Sequence, residues 1–409
     1  MKKSDFHWLV FLLLAPFLIS CSTYAWKMEK PLRFMSEGKP ELAADFLEPL
    51  AFTASDDQLV YLLDYAVAQQ AAGNFEKSNL AFQLADEISE VKDYISISKQ
   101  TASVFLSESL VPYKGDDYEK ILINALSSIN YASMGNTESA LVEVRRLNEK
   151  LNLYRVEAGI DYSENPFAYY FSAILWESEG QLDSALIDYK KAFKLRPDFP
   201  GIREDIARIG FLANSLSDFE EHKSSVSLLQ QKLKKWRAGY TELVIVFQNG
   251  FGPRKRPDPA WPRIAKIFPW YNVPRYLQAT DASGGFPIRS FEVFNVEKAV
   301  INAWNRQYSA LVAKRIAARI VKREAVRRLR KEDSNAALFA AIIMDVSDQA
   351  DLRGWSSLPQ TIQVLRLPLV PGENQIKLSI QGTDGFSKPD EIVVFAEPGK
   401  KYFRNYRSF

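Results

Sequence analysis

Reactive side chains are scarce in this chain of 409 residues, and those it lacks narrow the chemistry more than those it has. It carries one thiol, Cys21, and two imidazoles, His7 and His222. A histidine zinc site, a Ser-His-Asp triad and a Cys-His pair all need more than that, above all if His7 is lost with the leader argued below. A single cysteine allows no intramolecular disulfide. No glycine-rich stretch is followed by Lys-Ser or Lys-Thr opening a helix, as a phosphate loop requires. Carboxylate-only chemistry stays open, because a pair of acids that cleaves glycans leaves no spacing signature in a sequence. No catalytic residue, metal ligand or cofactor is assigned on this basis.

Cys21 has a context of its own. Lys2 and Lys3 precede an apolar run from Trp8 to Ile19, which ends in Leu18-Ile19-Ser20-Cys21. The run is shorter than the ~20 residues a spanning helix needs, and its charge, length and small terminal residue suit a cleaved leader over residues 1–20. Its end resembles the bacterial lipobox. That resemblance implies diacylation of the Cys21 sulfur, cleavage before it, and acylation of the new amine. Each buried CH₂ contributes about 0.8 kcal/mol, so several acyl chains hold a protein to a membrane durably. Ser22, in place of Asp, implies an outer-membrane lipoprotein facing the periplasm, with residues 21–31 as acylated N-terminus and tether. A secretory leader with a chance cysteine is the plainer alternative. Either address excludes nucleic acid as a partner.

The elements behind the leader divide in two. Residues 22–239 carry 24 basic and 33 acidic side chains, and residues 240–409 carry 26 and 16. A sign change of that size marks two modules with different surfaces. In the first, residues 32–239, apolar residues recur every three or four positions in long stretches without Gly or Pro. A glycine-led pattern repeats: Gly180, Ala185, Tyr189 and Ala192; Gly73, Ser78, Phe82 and Ala85; Gly135, Ala140, Val144 and Leu147; and, degenerate, Gly38, Ala43, Leu47 and Leu50. The pattern resembles the tetratricopeptide repeat (TPR), in which Gly ends one helix at positive φ and small Ala lets the next press close. Ile202–Trp236 reads as capping helices over the last apolar face.

The period changes at Gly239. Leu243–Phe247, Ile288–Asn295, Thr361–Leu367, Gln375–Gln381, Glu391–Phe395 and Lys401–Tyr406 read as strands of a β-sandwich-like domain, 240–409. Pro371-Gly372-Glu373-Asn374 looks like a hairpin turn between two of them. Gly252–Tyr276 reads as a basic, proline-rich loop with Trp261, Trp270 and Tyr271. A helical insertion spans 296–350: a long basic helix, Val296–Lys331, and an apolar helix, Ala336–Gln349. The fold class is α+β, a TPR-like α-solenoid followed by a β-sandwich-like domain.

Three stretches are candidates for binding. Arg315, Arg319, Arg323 and Arg327, four apart, form a cationic stripe on the long helix, with Trp304, Tyr308, Val312, Ile316 and Ile320 expected to pack down beside it. The stripe is either a solvated face or a site for an anionic partner. Asp351, Arg353 and Trp355 precede a strand; they suit an interface or sugar stacking, or they pin the loop and plug the core. The proline-aromatic loop is the third. The lipobox, the repeats and the segment Asp351-x-Arg353-x-Trp355-x-x-Leu358-Pro359-x-x-Ile362 together resemble a family of bacterial TPR-containing lipoproteins, over nearly the whole chain. The resemblance implies location and build, and no activity. The expected function is a non-enzymatic scaffold or regulator that binds an envelope protein through its repeat groove, with peptidoglycan or anionic lipid as further partners. A cell-wall glycan-binding or glycan-cleaving protein is the alternative.

Overall fold

The computed structural model describes residues 23–99, 112–157, 165–281, 286–332, 337–338, 350–383, 385–387 and 389–409. Cys21 and the leader lie outside these residues, as does nearly all of the expected helix Ala336–Gln349. The first helix, α1 (Thr23–Ser36), starts inside the stretch expected to be a tether. Tyr24, Met28, Leu32 and Met35 recur along one side of it and are buried, so this segment is part of the core.

Helices then follow as antiparallel pairs. α1 pairs with α2 (Pro40–Ala51), α3 (Gln58–Ala71) with α4 (Phe75–Lys99), α5 (Asp117–Ser133) with α6 (Thr137–Glu157), and α7 (Pro166–Ser178) with α8 (Leu182–Leu195). One turn serves all four pairs. Gly38, Gly73, Gly135 and Gly180 sit at φ between 70° and 80°, where an L side chain is strained. The residue after each glycine donates its N–H to the carbonyl of Phe34, Gln69, Tyr131 or Trp176 at 2.9 Å, which closes the helix end. Five residues beyond each glycine stand Ala43, Ser78, Ala140 and Ala185, all fully buried against the preceding helix. A fifth pair, α9 (Ile202–Leu212) and α10 (Leu216–His222), turns at Asn214 with φ 58°, and a short helix α11 (Leu229–Arg237) follows. The expected capping region therefore begins with another hairpin, in which Asn takes the left-handed position.

The chain crosses between modules at Gly239, φ 99°, where a Cβ would meet the Gly399 nitrogen at 3.1 Å. The second module builds two main sheets from β1 (Glu242–Asn249), β2 (Arg254–Pro257), β3 (Ala265–Phe268), β4 (Arg275–Asp281), β5 (Ile288–Arg289), β6 (Phe291–Asn295), β7 (Thr361–Pro368), β8 (Gly372–Gly382), β9 (Gly385–Phe386), β10 (Asp390–Ala396) and β11 (Lys401–Ser408). Sheet I runs β11-β1-β7-β6, with β1 and β11 parallel; sheet II runs β10-β8-β4-β5, with β9 beside β8. Leu243, Ile245 and Phe247 of β1 share an apolar layer with Leu277, Leu378 and Val394 of sheet II. Val244 and Val246 point the other way, into the helices. Every residue of β1 is buried, because both of its faces are covered.

Two expectations about this module are corrected. The presumed loop 252–276 holds the hairpin β2–β3 and the start of β4. Its prolines do not forbid this: Pro253 precedes β2 and Pro257 ends it, in a two-stranded ribbon with no neighbour to need the missing N–H. The Pro371–Asn374 segment is an arch rather than a hairpin, since β7 belongs to sheet I and β8 to sheet II. The Asn374 side chain holds the arch, donating to the Val370 carbonyl at 2.8 Å and accepting from its N–H at 3.1 Å.

Between β6 and β7 runs α12 (Val296–Glu332), 37 residues and so about 55 Å long. Val296, Val300 and Ala303 bury its root, and no described residue beyond them on the helix is buried. Ile316 and Ile320 were expected to pack down and are instead exposed. They sit about 120° and 160° round the helix from Trp304, off the face that its root presents to the core.

Candidate functional site: a sealed inward face and an acidic outer cleft

The helices α3, α5 and α7 form the inward layer of the repeats. A repeat groove would lie on this layer, and here sheet I fills it. Val244, Val246, Ile362, Val364 and Phe403 pack into one core with the helices. Phe171 meets Phe403 edge-on at 6.1 Å, and Gln248 donates to Gln70 at 2.7 Å. The expected peptide groove is thus occupied by the chain's own strands.

The segment 351–358 clasps the two modules. Asp64, on α3, accepts from the Ser357 N–H at 2.8 Å and from its hydroxyl at 2.6 Å. Tyr24 donates to the Gly354 carbonyl at 2.6 Å, with its oxygen 3.0 Å from the Ser356 hydroxyl. Glu119, on α5, accepts from the Trp355 N–H at 2.6 Å and from the Tyr113 hydroxyl at 2.6 Å. Arg353 forks onto Asp351, with Nη2 to Oδ2 at 2.7 Å, and reaches Asp57 at 3.0 Å. Trp355 is 2% exposed and touches Phe82. Asp351, Arg353 and Trp355 were candidates either for a partner surface or for pinning the loop and plugging the core; the structure turns Arg353 and Trp355 inward, and Asp351 is taken up by Arg353, which is the second reading. Trp355 has no face left for a partner.

A second buried cluster joins the same two layers further along. Glu242 of β1 accepts from Arg366 of β7 at 2.6 and 2.9 Å and from Lys401 of β11. Arg366 continues to Asp205 at 2.6 Å, Lys401 reaches Glu177 at 2.9 Å, and Arg208 pairs with Asp205 at 2.8 Å and with Glu177. Three cations face three carboxylates, with the Tyr170 and Tyr189 hydroxyls beside them. Burial alone would raise the Glu242 carboxyl; Arg366 and Lys401 reverse this and hold it well below the usual carboxylate range. Burial pushes Lys401 down to about 7, against the pull of Glu242.

Carboxylates with raised pKa values do occur, as glycan cleavage would need, but these belong to the clasps. Burial raises Asp64 to about 7 and Asp205 to about 6, and both are enclosed by their protein partners. Asp64 gives a pH prediction. Its folded pKa lies above the ordinary value of 3.8, so the folded state binds more protons than the unfolded state between about pH 4 and 7. Its contribution to stability therefore falls as pH rises through that window. The stability of wild type relative to Asp64→Asn, from urea titrations at each pH, should decline from pH 4 to 7; a constant difference would contradict it.

On the outward side, α4, α5 and α6 enclose a cleft of about 700 Å³. Phe82 and Ile123 line it together with Asp86, Glu87, Glu90, Glu143 and Glu149, against the cations Arg146 and Lys150. Lys150 pairs with Asp86, and Arg146 lies 3.3 Å from Glu143, while Glu87 and Glu90 are exposed. Asn124 lines the cleft with its Nδ2 donating to Glu143 at 2.7 Å, and its buried Oδ1 has no donor. An acceptor left open in an acidic cleft suits a ligand that brings N–H groups and positive charge. The cleft had no signal in sequence, because its acids come from two helices without a shared motif.

The remaining candidates lie on α12. Arg319, Arg323 and Arg327 are exposed, Arg315 is half-buried, and Glu324 pairs loosely with Arg327 at 3.8 Å and Arg328 at 3.5 Å. Among the described residues no helix is long and apolar enough to cross a membrane, and no group of His, Cys, Asp and Glu could hold a metal ion.

No protein-family model and no curated protein sequence matches the chain. Solved structures of related shape include MamA (residues 41 to end) from Desulfovibrio magneticus RS-1, 14% identical over 51% of this chain and 95% of that one, TM-score 0.34. They also include a tetratricopeptide repeat protein from Parabacteroides merdae, 16% identical over 52% of this chain and 67% of that one, TM-score 0.34. A third is a set of TPR-like repeats from a putative kinesin light chain of Podosopora anserina, 13% identical over 52% and 98%, TM-score 0.35. Likeness at that level carries no weight by itself, and the assignment rests on the chain's own paired helices and left-handed turns: TPR-like helical repeats followed by a sheet-rich C-terminal region.

Proposed function

We propose that this protein is an outer-membrane lipoprotein, acylated on Cys21, that acts in the periplasm as a non-enzymatic scaffold for an envelope protein. The observation that carries the scaffold reading is the acidic cleft on the outward face of the repeats, with Asn124 Oδ1 open within it. The inward face is spent on sheet I, so the partner meets the outward one, and it brings a basic segment. Anchoring rests on the lipobox-like ending at Cys21.

Glu87→Lys and Glu90→Lys together should abolish partner capture by crosslinking in the living cell while the melting temperature stays unchanged, since both residues are exposed. Undiminished capture would remove the cleft from the reading. Radiolabelled palmitate should enter the wild-type chain and not Cys21→Ala; label in both, or in neither, would remove the anchor. The α12 stripe is the site for an anionic partner: Arg319→Glu, Arg323→Glu and Arg327→Glu together should abolish pulldown of that partner without lowering the melting temperature. Unchanged pulldown would return α12 to a solvated face.

A further inference from the structure

The start of α1 leaves no slack between Cys21 and the folded body. Tyr24 is buried and hydrogen-bonded to the Gly354 carbonyl, three residues and so about 10 Å of chain from Cys21. Whatever surrounds that point must face whatever holds Cys21. The β2 strand lies beside it. The Lys255 stem runs 3.8 Å from where a Gly354 Cβ would stand, and Lys255 pairs with Asp116 at 2.6 Å. Its neighbours Arg254 and Arg256 reach the other way, to Trp270: the Arg254 guanidinium stands 3.6 Å over the indole ring and that of Arg256 5.7 Å from it.

Arg254 keeps a buried Nε–H with no acceptor, Arg256 is exposed, and Tyr271, next to Trp270, is 89% exposed. An exposed Arg256 and a half-buried Arg254, set among half-buried Trp270 and exposed Tyr271, match the composition found at the level of lipid headgroups, where the rings are half apolar and the guanidinium meets phosphate. Trp26, 70% exposed on α1 itself, adds a further ring near the same end. We propose that the patch formed by Arg254, Arg256, Trp270 and Tyr271 is the membrane-apposed face of the protein and seats on anionic phospholipid headgroups beside the acylated Cys21. The inference rests on the lipoprotein reading for its geometry, and its test does not depend on acylation in the cell.

The chain starting at Cys21 keeps every contact described above, and its single thiol can be coupled to a maleimide lipid. Coupled to vesicles containing phosphatidylglycerol, it should show several-fold slower amide exchange in 251–276 than the same chain coupled to phosphatidylcholine vesicles, with β10 unchanged. High salt should erase the difference. Arg256→Glu with Tyr271→Ala, both exposed and so harmless to the fold, should erase it too. Equal exchange on the two vesicles, or slowing that survives the double substitution, overturns the proposal. So does equal slowing of the uncoupled chain by an acidic polypeptide in solution, which would make the patch a protein site. Failure of palmitate incorporation in the cell, with this result positive, would sink the anchor and leave the patch standing.

Discussion

Arg366→Ala is expected to lower stability by about 3–5 kcal/mol in a urea titration, the usual consequence of removing one partner from a buried ion cluster. Arg366 lies 2.6 Å from Glu242, 2.6 Å from Asp205 and 3.6 Å from Glu177, so its loss leaves three buried carboxylates facing only Arg208 and Lys401. The balance of charge, rather than any one pair, is what the substitution destroys. Arg366→Met, which keeps much of the volume, should therefore be nearly as damaging. Adding Glu242→Gln to Arg366→Met should restore part of the loss, because the remaining two carboxylates then face two cations. The deficit should also shrink on acidification. Without Arg366 the carboxylates are pushed up by burial, the folded state then binds more protons than the unfolded one, and stability rises as pH falls. A loss below about 1 kcal/mol, the range of exposed pairs, would mean that water reaches this cluster.

Much of the helical half was legible because its turns obey a local rule. Gly38, Gly73, Gly135 and Gly180 are each required by a positive φ, and the small residue five places on is required by the closeness of the next helix. Both requirements act within one pair of helices, so they leave a spacing in the sequence. The fifth pair slipped through because Asn214 can take the same conformation without being glycine. β2, β3 and β4 were hidden behind prolines that turn out to stand at or just beyond the strand ends, Pro257 as the last paired residue of β2. The arch at Pro371 read as a hairpin because a turn signal does not say which sheet receives the next strand.

Asp351, Arg353 and Trp355 were legible as a loop pin and a core plug, but the partners they meet across the junction were not, and the reason is separation. Ser357 meets Asp64 across 293 residues, Trp355 meets Glu119 across 236, and Arg366 meets Glu242 across 124. No periodicity links such pairs. The charge balance marked an acidic and a basic module with different surfaces, and the buried clusters do pair across them, Arg366 with Asp205 and Lys401 with Glu177. Yet the exposed α12 stripe, the largest contribution to the basic balance, takes no part in them. Net charge thus marked two surfaces without identifying which of their residues meet. A lone acid heading an apolar strand, as Glu242 does before Leu243-Val244-Ile245-Val246-Phe247, is the kind of local signal that marks a buried ionic partner elsewhere.

The clasp at 351–358 yields the second large effect. Asp64→Ala strands the Ser357 N–H and hydroxyl in a buried site, each costing about 1–3 kcal/mol, for a total on the order of 3 kcal/mol. Trp355→Ala should cost about 3–5 kcal/mol, because the ring fills space against Phe82 that neither module can close by itself. Trp355→Phe separates ring from polar group. The indole N–H is buried without an acceptor, so phenylalanine loses volume but also removes an unmet donor, and its deficit should be well under half that of alanine. Beyond lost stability, Asp64→Ala should uncouple the modules. Sheets I and II keep an apolar layer of their own, while the helices share their core with the inner face of sheet I, the seam that the clasp closes. Melting followed by amide exchange should then show the sheet face of α3 and α5 opening before β4 and β8 unfold. A single transition in which all four elements exchange together would show that the second cluster, around Arg366, is enough to keep the two layers one unit.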